Sequence, residues 1–222
     1  MTAELIAPAG VEDPQLGLGA GLPASVPVVA GWHEPGMADE GYAELLDSVR
    51  SMLDHLAAAR LDESTARELS RQLDAVRDRL ANHAVAEADQ VFAHRRDLPA
   101  HGQTFVPPYV VRSADRDGVR AMVYFGRYFL GANVAVHGGA ITLLFENLFG
   151  ELAISGGRTF GRAAYTHVDF RAVTPVGREL SLHAWFESEV GRKRVLRGEL
   201  RDGDVLCVEA EGLVVELRPG QP

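Results

Sequence analysis

The pattern of hydrophobic positions divides the chain into a helical part and a part rich in strands. Over residues 42–56 apolar side chains recur every three or four positions, which predicts an amphipathic helix. A second helix is predicted to begin near Asp62, with a capping box of Thr65 and Glu68 at its start, and to fade near His94. Because only a few residues join them, the two helices are expected to form a helical hairpin. Their apolar stripes must then cover each other or the rest of the protein.

After Phe105 the pattern changes to the alternation that is typical of strands. Strands are predicted over residues 119–125, 166–173, 179–190, 195–201 and 205–217. The last three follow one another with short turns between them, which predicts an antiparallel meander. Cys207 lies in the last strand between apolar neighbours and is expected to be a buried structural thiol.

One segment inside the strand-rich half, residues 137–153, has the pattern of a helix. It begins with Gly138 and Gly139, where the backbone must come close to another group. Beyond the glycines it is apolar on nearly every side, which predicts a helix buried by a sheet that curves around it. Glu146 is then a carboxylate on a buried helix. Such a group needs a partner, a cavity or a chemical role, so a structural ion pair is the alternative to catalysis.

Composition and charge narrow the function classes. The chain has 222 residues, 46% of them hydrophobic, and a formal net charge of −9. This excess of acid argues against general binding of nucleic acid or anionic lipid. No apolar run approaches the ~20 residues that span a bilayer. Residues 1–40 are rich in Gly and Pro, contain no Lys or Arg, and are expected to form a mobile tail.

The single cysteine, Cys207, excludes an intramolecular disulfide and a cysteine-based zinc site. The start of the chain lacks the positive region of a secretory signal, so a cytoplasmic protein is expected. No metal site is predicted, because no His-Glu-x-x-His helix or comparable ligand motif is present.

A helix that starts with His137-Gly138-Gly139, carries Glu146 nine positions after the histidine and lies among these strands resembles the hotdog-fold acyl-CoA thioesterases. The subgroup it is most similar to is the phenylacetate-pathway and 4-hydroxybenzoyl-CoA type. The segments that carry the resemblance are, in order, residues 122–126, 137–150, 166–175 and 191–200.

The resemblance implies an α+β hotdog fold, an antiparallel sheet wrapped around a central helix, with an N-terminal helical hairpin extension. The expected organisation is a tail over residues 1–40, the hairpin extension over residues 41–100 and a hotdog domain over residues 101–222. The likeness itself covers only about residues 105–217, and nothing before residue 100 takes part in it.

The implied activity is hydrolysis of an acyl-CoA thioester to a free acid and CoA, without a separate cofactor. In the family, the amide after the histidine donates to the thioester oxygen and the acidic residue is base or nucleophile. These positions are Gly138 and Glu146 here. His137 is expected to hold the glycine loop in shape, Gly139 is expected to contact the substrate, and Asn133 is expected to contact either the substrate or the loop. The residues just before His137 depart from the glycine- or proline-rich pattern of many relatives.

A basic cluster follows the predicted turn near residue 191: Arg192, Lys193 and Arg194. These residues are candidates for binding the phosphates of CoA, and a solvated hairpin is the alternative. On a strand Arg192 and Arg194 share one face while Lys193 points to the other, so at most part of the cluster can contact one ligand.

Eight helical steps separate Gly138 from Glu146, about 12 Å along the helix axis. One carbonyl group cannot easily contact both within a single chain. The resemblance implies that Glu146 of one protomer faces Gly138 of its partner, in a homodimer or a dimer of dimers. Two other function classes remain open: a non-catalytic acyl-CoA binding module, and an enoyl-CoA hydratase or dehydratase. The acyl group cannot be deduced from the sequence.

Overall fold

The computed structural model describes residues 40–95, 97–218 and 220. The predicted mobile tail therefore lies almost entirely outside the described residues. Within them the chain forms three α-helices and six β-strands. They are α1 (Glu40–Ala58), α2 (Glu63–Ala81), β1 (Tyr109–Ala114), β2 (Gly118–Tyr124), α3 (Gly138–Ile154), β3 (Gly161–Phe170), β4 (Glu179–Val190), β5 (Lys193–Asp202) and β6 (Val205–Glu216).

The strands form one antiparallel sheet in the order β1-β2-β4-β5-β6-β3, and α3 packs on it. The predicted meander of the last three strands is confirmed, since β4, β5 and β6 are neighbours. Two glycines of the sheet lie beneath aromatic rings of α3. A Cβ on Gly198 would lie 2.6 Å from the ring of Phe145, and one on Gly212 would lie 2.5 Å from the ring of Phe149. The helix can therefore approach the sheet closely at these two positions.

Strand β1 has no counterpart among the predicted strands. Tyr109, Val110 and Val111 are all buried, and the following residues are more exposed. A strand that is buried on both faces at one end shows no alternation, so the period-two pattern does not reveal it. The other five strands form within a few residues of their predicted bounds, although β3 begins five residues earlier.

Both predicted N-terminal helices are present, but the ends of α2 differ from the expectation. Asp62 caps the start of the helix by accepting a hydrogen bond from Thr65 N at 2.9 Å. The predicted capping box of Thr65 and Glu68 is therefore wrong, and Asp62 is the N-cap. The helix ends at Ala81 and does not continue towards residue 94. None of its residues is buried, and its apolar stripe, including Leu73 and Val76, is exposed.

The expectation that α3 is buried on every side is wrong for the single chain. One face is fully buried, with Leu144, Leu148 and Leu152 at 0% exposure. Gly139, Glu146 and Gly150 lie on the opposite face and are exposed. A single sheet can cover only one side of a helix, and no described residue covers the other.

None of the described helices is long and apolar enough to cross a membrane.

Candidate active site

The loop before α3 is held from two sides. His137 N donates to Phe129 O at 2.8 Å, so residues 129–137 form a narrow loop. On the other side, Val136 N donates to Thr174 O at 2.8 Å, and Val134 O accepts from the backbone of the same neighbouring segment. The backbone that leads into the glycine pair is therefore fixed by contacts outside the helix.

The tip of this loop contains two residues in the left-handed backbone region. Asn133 has a φ of 49° and Val134 a φ of 60°. A β-branched residue rarely adopts this conformation, so the loop holds Val134 in a strained state with its side chain 52% exposed. Asn133, a predicted substrate contact, is also exposed at this tip.

His137 is the N-cap of α3. Its Nδ1 accepts a hydrogen bond from Gly139 N at 3.0 Å, and its carbonyl oxygen accepts from Ala140 N at 2.9 Å. Accepting at Nδ1 requires that this nitrogen carries no proton. The contact is the one that the predicted loop-holding role of His137 requires.

The Gly138 N–H lies between these bonded groups and has no acceptor among the described residues. It is a free donor at the positive end of the α3 dipole. The ring of Phe170, the last residue of β3, lies against this glycine, because a Cβ on Gly138 would be 3.0 Å from Phe170 Cζ. No signal in the sequence pointed to Phe170, since the contact joins the end of a strand to the start of a helix.

Glu146 lies two turns further along α3, about 12 Å from Gly138 at the normal helical rise. Its side chain is exposed in the single chain, so the expectation of a buried carboxylate is wrong here. It shares its helix face with Gly139, Leu143 and Gly150, and a Cβ on Gly150 would meet no atom within 4 Å. This face is therefore open to another molecule.

A polar cluster lies beside Glu146 on α3. Tyr109 Oη donates to Asn147 Oδ1 at 3.0 Å, and burial raises the pKa of Tyr109 far above its usual value. One turn on, Glu151 Oε2 lies 3.5 Å from His101 Nε2. Asn147 and Glu151 thus have partners within the chain. Glu146 is the exposed carboxylate of the helix.

The basic cluster lies at the far end of α3. Arg194 is 3% exposed and donates to Ala153 O at 2.9 Å and to Thr159 O at 2.7 Å. The structure does not support the predicted substrate contact of Arg194, because its guanidinium is used to fix the end of the helix. Arg192 and Lys193 are exposed. From Gly138 to Ala153 the helix spans about 22 Å, so one chain does not bring the cluster and the glycine pair together.

No group of three or more His, Cys, Asp or Glu side chains in the described part of the chain is arranged to hold a metal ion. Cys207 is fully buried, as predicted for a structural thiol, and its Sγ lies 3.4 Å from Val173 O.

Comparison with known proteins bears on the fold. No protein-family model and no curated protein matches the sequence. Among solved structures, a crystal structure described as a thioesterase superfamily protein has a TM-score of 0.72 and 24% identity. The match covers 83% of this chain and 95% of that chain, which is more than the predicted hotdog domain alone.

Two smaller proteins match about half of the chain. A phenylacetic acid degradation-related protein from Ralstonia eutropha, described as a putative thioesterase, has a TM-score of 0.45 and 17% identity over 48% of this chain and 83% of its own. A hypothetical thioesterase from Streptococcus pneumoniae, solved with coenzyme A, has a TM-score of 0.45 and 14% identity over 48% of this chain and 86% of its own. At such identities a likeness establishes the fold alone. The chain therefore has the hotdog fold found among thioesterase superfamily structures, with an N-terminal helical extension, as the resemblance in its sequence implies.

Proposed function

We propose that this protein hydrolyses acyl-CoA thioesters to a free acid and CoA. The observation that carries the proposal is the free Gly138 N–H at the start of α3, on the same helix as an exposed carboxylate, Glu146. Acyl transfer requires a donor for the developing oxyanion and a base or nucleophile for the carbonyl carbon. The two groups supply these two requirements.

In the proposed reaction the thioester oxygen accepts the Gly138 N–H, aided by the α3 dipole. Glu146 takes a proton from a water molecule, and the oxygen of that water attacks the carbonyl carbon. The tetrahedral intermediate collapses as the C–S bond breaks, and the CoA thiolate leaves and takes up a proton. In the alternative, the Glu146 carboxylate attacks directly and water then hydrolyses the resulting anhydride. The products are the same.

A second copy of the chain is part of the proposal. About 12 Å separates Gly138 from Glu146 along one helix, too far for one carbonyl carbon and its oxygen. The open face of α3 carries Glu146, and glycines at 139 and 150 allow close approach to it. Strand β3 lies at the edge of the sheet and its residues are mostly exposed, which makes it a natural pairing surface. We place Glu146 of one protomer opposite Gly138 of its partner.

Substrate binding follows from the same arrangement. Asn133 is exposed at the tip of the preceding loop and Gly139 directly follows the free amide, and we assign both to contacts with the acyl group or the pantetheine arm. Arg192 and Lys193 remain candidates for the CoA phosphates, which an acidic protein must attract locally. Arg194 is left out because its side chain is buried.

The test is a panel of aliphatic and aromatic acyl-CoA esters assayed by thiol release, with the parent, Glu146→Gln and Glu146→Asp. We expect Glu146→Gln to lower kcat by about 100-fold or more while the fold is kept, because the residue is exposed. Glu44→Gln, which neutralises an exposed carboxylate of α1, is the matched control and should be as active as the parent. A Glu146→Gln protein with parental turnover would rule out Glu146 as base or nucleophile.

Two further assays, the thermal shift with acyl-CoA and the absorbance of an enoyl-CoA, separate the other two function classes. A binding module would be stabilised thermally by acyl-CoA without releasing thiol. A hydratase would consume the enoyl absorbance of an enoyl-CoA without releasing thiol. Either result would contradict the proposed hydrolysis.

A further inference from the structure

Helix α1 is attached to the hotdog domain at two places. Nearer its start, Tyr42 Oη donates to Gly102 O at 3.1 Å, and Arg50 Nη2 donates to Gln103 O at 2.7 Å. Further along, α1 packs against the short 3₁₀ turn Arg127–Phe129. The first attachment holds the connection to β1, whereas the second reaches the loop that leads to the glycine pair.

Asp54 makes the second attachment. Its Oδ1 accepts a hydrogen bond from Tyr128 N at 2.9 Å, which pairs a backbone donor of the turn. The carboxylate also lies directly on Gly126, and a Cβ at that position would overlap both of its oxygens. Gly126 has a φ of −72°, which any residue can adopt, so the contact with Asp54 is what excludes a side chain there.

The turn connects directly to the candidate site. Phe129 O accepts the hydrogen bond from His137 N at 2.8 Å, and the Phe129 ring is anchored edge-on to Phe125 with 5.9 Å between centroids. His137 in turn accepts the Gly139 N–H, which leaves Gly138 N–H as the free donor. Backbone hydrogen bonds therefore link the carboxylate of α1 to the position of that donor.

We propose that Asp54 of the N-terminal extension is a positioning residue for the Gly138 oxyanion donor, acting through the 126–129 turn and His137. The inference rests on the proposed function and gives the extension a role in it. Without the carboxylate, Tyr128 N loses its acceptor and the turn that holds His137 is free to shift. A displacement of a transition-state donor lowers kcat more than it changes KM, because the ground state relies on it less.

The test compares Asp54→Ala with Asp54→Asn and Tyr42→Phe, by thiol release and by backbone hydrogen exchange of residues 126–140. We expect Asp54→Ala to lower kcat by about 10- to 100-fold with KM changed less than about threefold. The amides of Tyr128 and His137 should exchange faster in this variant. Asp54→Asn keeps an acceptor oxygen, so its kcat and its amide exchange at Tyr128 and His137 should be close to those of the parent. Tyr42→Phe removes a different anchor of α1 and should match the parent.

Gly126→Ala supplies an independent variant, because the added methyl pushes the Asp54 carboxylate away while the backbone conformation is allowed. It should lower kcat about as much as Asp54→Ala does. The double variant Asp54→Ala/Gly126→Ala should have a kcat no lower than that of either single variant. If the losses in kcat add in the double variant, the two residues do not act through the same contact.

Asp54→Ala with a lower melting temperature but parental kcat and parental exchange over residues 126–140 would overturn the proposal, since Asp54 would then only anchor α1. If the parent releases no thiol, the proposed function fails, and the exchange data alone decide whether Asp54 holds the loop. Unchanged exchange at Tyr128 and His137 would overturn it in that case as well.

Discussion

Gly138 faces the ring of Phe170: a Cβ on residue 138 would lie only 3.0 Å from Cζ of that ring. The ring is 57% exposed, so it forms an apolar wall at the mouth of the site while its edge touches the backbone. The Gly138 carbonyl oxygen accepts a hydrogen bond from Thr142 Oγ1 at 3.1 Å, whereas the Gly138 N–H has no acceptor among the described residues.

The contact predicts the effect of Gly138→Ala. The added methyl would lie 3.0 Å from Phe170 Cζ, so the ring or the helix start must shift. We expect kcat for thioester hydrolysis to fall by about 10- to 100-fold, because the donor moves relative to the carbonyl oxygen. Adding Phe170→Ala removes the clash and should recover part of the loss. If the double variant is no better than Gly138→Ala, the ring is not the cause.

Shared sites predict complementation between two inactive variants. Glu146→Gln and Gly138→Ala are each expected to be impaired in every site of their homodimers. After mixing and subunit exchange, a heterodimer contains one site with an intact Glu146 and an intact Gly138. Since about half of random pairs are heterodimers with one good site of two, about a quarter of the parental activity should return. A mixture that never exceeds the average of its components would place both groups in one chain.

The pKa of Asp62 predicts a pH dependence of stability. Hydrogen bonds from Ser64 Oγ and Thr65 N lower the pKa of this N-cap carboxyl from 3.8 to about 2. Because the folded-state pKa is below the unfolded value, the cap stabilises the protein fully above about pH 4 and is lost as the pH falls through about 2. Asp62→Asn keeps an acceptor without a titrating charge. The melting temperature of the parent should therefore fall further between pH 5 and pH 2 than that of Asp62→Asn. Equal falls would contradict the stabilising role of the ionised Asp62 cap.

Replacement by alanine should destabilise the protein strongly at Arg194 and very little at the nearby Arg192. Arg194 is buried and donates to Ala153 O and Thr159 O, so Arg194→Ala leaves the buried Ala153 carbonyl without this donor. We expect a loss of about 2–4 kcal/mol in the free energy of unfolding by denaturant. Arg192 is exposed, and Arg192→Ala should change that free energy by less than about 0.5 kcal/mol. If Arg192 binds CoA phosphates, the KM for acyl-CoA rises in this variant while kcat is kept. A stable Arg194→Ala protein would contradict the structural role.

Local patterns in the sequence determined most of the secondary structure and the choice of candidate site residues. The spacing of apolar residues predicted all three α-helices and five of the six strands, because periodicity reflects which side of an element is covered. The glycine pair after His137 predicted a helix start with a close approach, and Gly138 contacts Phe170 there. These features depend on neighbours within a few positions of the chain, so they can be predicted without knowledge of the fold.

Only the tertiary structure decided which groups are covered and which groups meet. It showed that Glu146 is exposed although it lies in an otherwise apolar segment, and that Arg194 is buried although it belongs to a basic cluster. It also brought Asp54 to the turn before α3, across 74 residues of chain. Burial and long-range contacts depend on how separate elements pack, and a carboxylate looks the same in the sequence whether a sheet, a second protomer or water covers it.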